Sequence, residues 1–408
     1  MNHMETMTGR QRIMTALRNG TPDRVPATPD ISIMIPCKLT QKPFYEIEIN
    51  GNPSLTSAYI QAVKFFGIDG WMFNGTLDFK LKSQVSTERK IIARQPGGWI
   101  VQDTLHTPDG DLVQVMASPA DNPSTVTKKM ITHLKQDFKK IRHLFSGVAS
   151  YDASTYWQQK KEMGELGMIC VYISVPGFQN FIPYFEGNLE AMTYAYYDEP
   201  DIFEELVSLY EEHELQKLAI ALDAGVESIL TGGSGSITLQ SPALFRKFSL
   251  PAIQKITRLC RQAGVLCGIH SCGKERYLVE TCANETELDY VNPLEIPPMG
   301  DCDLADLKRN YGHRLALMGN LHTTQVMLMG NPRLVRLESL KAIRAAGGSG
   351  GFVLSTGDQC GRDTPFENLF EMVKVCQEFG SYPLDFERIE AEIKRLEAEY
   401  SAVSMEPT

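Results

Sequence analysis

Eight apolar, β-rich runs recur along this chain, and stretches with helical spacing separate most of them. The runs are Arg24–Asp30, Gly67–Gly75, Met168–Val175, Gly225–Thr231, Gly264–His270, Leu288–Leu294, Leu315–Asn320 and Gly351–Thr356. Between them, Glu199–Leu222 spaces its apolar residues as a helix does. Ser241–Ala263 opens on Ser-Pro and stops at Gly264, and Asn331–Ala346 and Thr364–Phe379 repeat that Pro-first, Gly-last scheme. Strand–helix alternation repeated eight times predicts a parallel sheet that closes on itself, a (β/α)8 barrel, in preference to an open doubly wound sheet. A chain of 408 residues fits one such domain over 1–408. One segment breaks the alternation. Lys90–Met116 alternates with period two around Gly-Gly and Asp-Gly turns, which predicts a β-hairpin or small meander inserted as a flap over 84–118. Residues 1–9 and 402–408 are expected to be disordered tails.

Charge and cysteine usage narrow the function. The formal net charge is −10 and no Lys/Arg run reaches four, so nucleic acid is excluded as a partner. No signal-peptide pattern opens the chain and no run of about 18 apolar residues exists, so a cytoplasmic protein with no membrane partner is expected. Its nine cysteines are scattered and odd in number, which fits reduced thiols. In that setting a clustered Cys/His set reads as metal binding or catalysis.

Such a set falls at the predicted strand ends. In closed barrels the C-terminal strand ends carry the active site. His270 and Cys272 end the fifth run, and Gly273 lets both side chains turn to one centre. Cys360 lies in the loop after the eighth run, on the same rim. Two thiolates and an imidazole suit zinc and leave a fourth position for substrate. Glu295, after the sixth run, reads either as a fourth ligand displaced by substrate or as a carboxylate bonded to loop amides. Asp358 and Asn320 are candidates for fixing the ligands from behind. Asp30 is a rim residue that contacts substrate or caps the next segment. The loop Thr231–Ser236 lacks a phosphate-binding pattern and reads as a flexible rim loop.

Several segments, in order, resemble the uroporphyrinogen decarboxylase superfamily: Arg10–Pro26, Asn292–Asp306, Leu317–Asn320 and Gly350–Asn368. The resemblance implies that superfamily's barrel. Its decarboxylases use no metal and carry an Arg-Gln-Ala-Gly stretch whose region grips acidic porphyrin side chains; here that region reads Asp30-Ile31-Ser32-Ile33-Met34. The superfamily's other branch, the cobamide-dependent methyltransferases, has a His-x-Cys…Cys zinc motif that maps onto His270, Cys272 and Cys360. In the coenzyme M enzymes of that branch the last Cys directly follows the strand-end Gly, whereas here Asp358 and Gln359 stand between Gly357 and Cys360. What the resemblance implies is a zinc methyltransferase that moves a methyl group between a small donor or acceptor and the cobalamin of a partner corrinoid protein. A methoxylated aromatic is the expected donor, and the flap is a candidate homodimer contact. The alternatives are a metal-independent decarboxylase acting on a tetrapyrrole and a non-catalytic corrinoid-binding protein.

Overall fold

The computed structural model describes residues 6–403. Thirteen strands follow in chain order: β1 (Gly70–Gly75), β2 (Asp78–Leu81), β3 (Ser86–Gln95), β4 (Gly98–Thr107), β5 (Gly110–Pro119), β6 (Thr125–Lys128), β7 (Val148–Asp152), β8 (Gly167–Tyr172), β9 (Ser228–Gly232), β10 (Leu266–His270), β11 (Tyr290–Asn292), β12 (Ala316–Leu321) and β13 (Phe352–Thr356). Seven of them form one parallel sheet in the order β1-β8-β9-β10-β11-β12-β13. Strands β9, β12 and β13 are buried at every residue, as a parallel sheet covered on both faces requires.

The expected first strand closes the ring without being a regular strand. Ala27 bridges Leu354 of β13 in parallel, and Thr28 N–H donates to Leu354 O at 2.8 Å. On the other side, Asp69 N–H donates to Ala27 O at 3.0 Å just before β1. Pro26 and Pro29 have no N–H, so this segment cannot make a continuous ladder. The barrel therefore has eight members, one of them reduced to a bridge.

Crossover helices bury their apolar faces on the ring. Pro200–Asp223 packs Leu218 into the main core and Phe203 and Leu206 into a side cluster with Phe178, Phe181 and Phe248, and Pro332–Ala346 starts at Asn331, whose side chain accepts from Leu334 N–H at 3.1 Å. The barrel is filled near its N-terminal end. Ile13 and Leu17 of the helix Gly9–Leu17 pack with Trp71, Met168, Leu230, Tyr290 and Val353. Trp71 donates to the Tyr290 hydroxyl at 3.1 Å, and a Cβ at Gly268 would collide with the Tyr290 ring. Below this layer Asp69 pairs with Arg12 at 2.6 Å and with Arg24 at 2.9 Å, all three nearly inaccessible to water.

The inserted segment is a four-stranded antiparallel meander, β3-β4-β5-β6, longer than the expected 84–118 flap. Trp99 stacks on Tyr45 at 4.2 Å, and Arg362 in the loop after β13 pairs with Asp121 at 2.9 Å, tying the meander to the rim. The short antiparallel pair β2–β7 brackets the insertion. Of the expected disordered tails, residues 6–9 are ordered: Met7 N–H donates to Asp23 and Thr8 caps the first helix. Residues 402 and 403 continue the helix Phe386–Val403, and the rest of both tails lies outside the described residues. No helix among the described residues is long and apolar enough to cross a membrane.

Replacing Asp69 with Ala strips two buried guanidinium groups of a shared partner. It should cost about 3–5 kcal/mol in denaturant unfolding, whereas a loss under about 1 kcal/mol would show that the closure does not depend on it. Asp23 should add acid sensitivity. Burial opposes its ionisation, but hydrogen bonds from Arg12 and two backbone N–H groups pull it down to about 2. A lowered carboxylate contributes fully above the unfolded value of about 3.9, and that contribution fades as pH falls toward 2. An Asp23→Asn variant should therefore lose less stability than the wild type between pH 5 and pH 2, roughly the span in which this group titrates.

Candidate metal centre

Strand β10 delivers His270 to the rim, and the chain turns at Gly273 with φ +91°. A Cβ there would strike the Thr238 side chain, so the turn requires glycine. The turn brings Cys272 Sγ to 3.2 Å from His270 Nε2. Strand β11 supplies the orienting group: Asn292 pairs in register with His270, and its Oδ1 lies 2.6 Å from His270 Nδ1. An amide oxygen can only accept, so Nδ1 carries the hydrogen and the Nε2 lone pair points into the centre.

The loop after β9 clamps this arrangement. Gly233 N–H donates to His270 O at 2.8 Å and Gly235 N–H to Cys272 O at 3.2 Å. Ser234 Oγ lies 3.4 Å from Cys272 Sγ. The glycine-rich stretch, expected as a rim loop, thus braces this strand end through its backbone.

A third group of metal-ligand type comes from the loop after β13, and it is Asp358. Ligand atoms of His270, Cys272 and Asp358 all lie within 4.8 Å of one another, and among the described residues they form the one such group. Thr356 Oγ1 donates to Asp358 O at 2.7 Å and accepts from Asp30 N–H at 2.9 Å, which fixes the start of the loop. Cys360, expected as the third ligand, lies outside the group. Its N–H donates to Asp30 O at 2.8 Å, which draws it back toward the closing segment, and its thiol is fully buried. Burial, with Asp30 nearby, pushes that thiol well above the usual range.

Glu295 is also outside the group. It accepts from Gly273 N–H, the loop-amide role weighed above, and burial raises its carboxyl. Leu294, just before it, is held at φ +65°, with its carbonyl accepting from Asn320 Nδ2 at 3.1 Å. Asn320 therefore braces the Glu295 loop and bonds neither His270 nor a thiol. Asp30 stands on the rim, buried, with the Ser32 hydroxyl donating to it. Burial raises its carboxyl, and the neighbouring His270 works against that shift.

A cavity of about 530 Å³ opens beside the group. Phe73, Tyr172 and Leu230 supply its apolar surface, and Asp30, Ser32, Asn74, Gln179, Asn180, Ser234, Asp358 and Gln359 its polar surface, with His270 on its wall. The donor set fits a divalent metal. Imidazole nitrogen, thiol sulfur and carboxylate oxygen are all zinc ligands, and three protein ligands would leave a position for substrate. Burial, then the Asp358 carboxylate, pushes the Cys272 thiol far up, and a bound cation would reverse that bias.

Residues 186–379, which hold β9 to β13 and every residue of the group, match the uroporphyrinogen decarboxylase (URO-D) family. Uroporphyrinogen decarboxylases of Coxiella burnetii strains are 25% identical to the chain over 192 residues, 45% of this chain and 49% of theirs. The chain thus spans about half the length of the curated relatives it matches. Among solved structures, a methyltransferase from Methanosarcina mazei superposes with a TM-score of 0.62 at 16% identity, covering 91% of this chain and 99% of its own, a likeness of fold.

Cys272 is the one cysteine of the nine that is not buried, so alkylation of metal-free protein reports on it. At pH 8 it should react more slowly than free cysteine, because its raised pKa leaves less thiolate. Asp358→Asn should speed the reaction. An Asp358→Asn rate equal to that of the wild type would contradict the Asp358 contact.

Proposed function

We propose that this chain, whose residues 186–379 match the uroporphyrinogen decarboxylase family, is a zinc-dependent methyltransferase. It moves a methyl group between a small donor and the cobalamin of a partner corrinoid protein, with O-demethylation of a methoxylated aromatic as the reaction. The observation that carries the reading is the imidazole–thiol–carboxylate group on the barrel rim, open to a cavity with aromatic walls.

His270, Cys272 and Asp358 would hold the metal. When bound, zinc supplies Lewis-acid polarisation of an ether oxygen or, in the reverse direction, stabilises an acceptor thiol as thiolate. The chain's own residues supply the rest. Asn292 locks the His270 tautomer, and Ser234 and the β9 loop hold Cys272 in place. Phe73, Tyr172 and Leu230 present apolar surface that displaces water and aligns a planar donor in the cavity. The meander is tied to the rim through Arg362 and Asp121, and on this reading it would meet the corrinoid partner.

The rival reading, a metal-independent decarboxylase, is favoured by the names of the Coxiella relatives. It would need cationic groups for an acidic tetrapyrrole, and no Arg or Lys lines this cavity among the described residues. Arg12 and Arg24 are engaged with Asp69 at the opposite end of the barrel.

Purified protein should carry about one zinc per chain, as a three-residue catalytic site would. Cys272→Ser and Asp358→Ala should lose it, Asn292→Ala should weaken its binding by about 10–100-fold, and Cys360→Ser should retain it. Full metal content in both Cys272→Ser and Asp358→Ala would sink the assignment. For the reaction, reduced corrinoid protein plus methoxylated aromatics should give the absorbance of methylcobalamin. No change across a broad donor panel would argue for another class.

A further inference from the structure

A second cavity, of about 450 Å³, lies between the loop after β11, the end of β12 and the crossover helix Pro332–Ala346. It shares no lining residue with the cavity beside His270. Ile296, Leu304, Leu321, Val326 and Ala345 give it apolar surface. Two buried polar side chains on its wall, His322 and Asn320, also line the smaller hollow bounded in part by Glu295 and Gly357. Their hydrogen bonding is incomplete, and the missing partners are of opposite kinds. His322 Nδ1 accepts from Thr324 N–H and Gln325 N–H, each at 3.1 Å, at the start of the short helical turn Thr323–Leu328. A ring nitrogen that accepts must present its lone pair, so the hydrogen is on Nε2. That N–H belongs to a side chain only 7% exposed and has no partner among the described residues. Asn320 Nδ2 donates to Leu294 O at 3.1 Å, a carbonyl that can only accept, which fixes the orientation of the amide. Its Oδ1 accepts no hydrogen bond from the described residues. The charged groups on the wall are already matched. Lys341 pairs with Glu338 at 3.1 Å and with Glu397 at 3.2 Å, and Arg344 pairs with Glu390 at 3.1 Å. Asp301 accepts from Glu275 N–H and Asp303 from Asp306 N–H, both at 2.8 Å.

We propose that this second cavity binds a small molecule with an uncharged carboxamide on a compact apolar body. The carbonyl oxygen takes the His322 Nε2 hydrogen, and the amide nitrogen donates to Asn320 Oδ1. A buried donor left without an acceptor is costly, so the ligand has to bring an oxygen to His322. A carboxylate would bring one but would set oxygen against oxygen at Asn320. Its charge would also have to draw Lys341 or Arg344 away from a carboxylate that each already holds. An ammonium could donate to Asn320 but would leave His322 unpaired. A carboxamide accepts and donates from one planar group, and its apolar body lies against Ile296, Leu321 and Val326. The inference goes beyond the methyltransferase reading and uses no residue of the metal centre, so the two stand or fall separately.

The test is titration of the full chain, as purified, with benzamide, benzoate and benzylamine, followed by ligand-detected NMR. The three probes share one ring and differ in offering both an acceptor and a donor, an acceptor alone, or a donor alone. Binding at this cavity is the part that Ala345→Leu removes, because the larger side chain fills the space from the crossover helix and leaves the cavity beside His270 untouched. Benzamide should show such binding, and benzoate and benzylamine should bind there at least about tenfold more weakly. His322→Asp keeps the helix start, since a carboxylate oxygen can take the same two N–H groups, and removes the Nε2 donor. It should weaken benzamide at least about tenfold. Unchanged benzamide affinity in either variant would overturn the proposal. So would benzoate or benzylamine binding at this cavity as tightly as benzamide, or no binding of benzamide by the wild type. Zinc content and methyl transfer do not enter the readout, so their failure would sink the methyltransferase reading and leave this one in place.

Discussion

Asp69 sits where three parts of the chain must meet for the sheet to close. Its carboxylate accepts from Arg12 on the helix that plugs the barrel, from Arg24 at the start of the closing segment, and from Ala27 N–H at 3.0 Å within that segment. A buried charge of this kind is tolerable only when every lone pair is used, and here the hydrogen bonds draw the plug, the closing segment and the start of β1 together. The closing segment has two prolines and cannot hold itself in the sheet by a regular ladder. Without this anchor the ring would end in two open edges, Gly70–Gly75 and Phe352–Thr356.

Closure at one end of the barrel sets the chemistry at the other. The same segment that Asp69 holds runs on to Asp30, whose N–H reaches Thr356 and whose carbonyl takes the N–H of Cys360. Those two bonds shape the loop after β13, put Asp358 beside His270 and Cys272, and turn Cys360 inward. Stability thus resides at the N-terminal face and reactive groups at the C-terminal face, the usual division in this architecture. The donors arrive from two strands three positions apart in the ring. Asn292 on the strand between orients one of them, so the centre exists only when the ring does.

The barrel was legible because β9, β12 and β13 are buried throughout, so each leaves a continuous apolar run in the sequence. The β2–β7 pair was not legible. Its strands are short, largely exposed and about seventy residues apart, and nothing in either segment names the other. His270 and Cys272 could be read from one strand end. Asn292 could not, because its role depends on the register of β10 against β11, which spacing along the chain does not encode. Thiol softness pointed to Cys360; in the structure the backbone bond from Cys360 to Asp30 draws that thiol inward, and Asp358 stands beside His270 and Cys272. The intervening Asp358 and Gln359, visible in the sequence as a departure from the coenzyme M pattern, were the available signal.

A site with one thiolate and one carboxylate differs chemically from one with two thiolates: the harder oxygen donor gives up less electron density and leaves the metal a stronger Lewis acid. That would suit the proposed activation of an ether oxygen. The central claim is therefore the identity of the third donor, and X-ray absorption at the zinc edge of the full chain tests it most directly. The account predicts one sulfur at about 2.3 Å with the remaining ligands nitrogen or oxygen at roughly 2.0–2.2 Å. Two sulfur ligands per zinc would contradict it and return Cys360 to the metal.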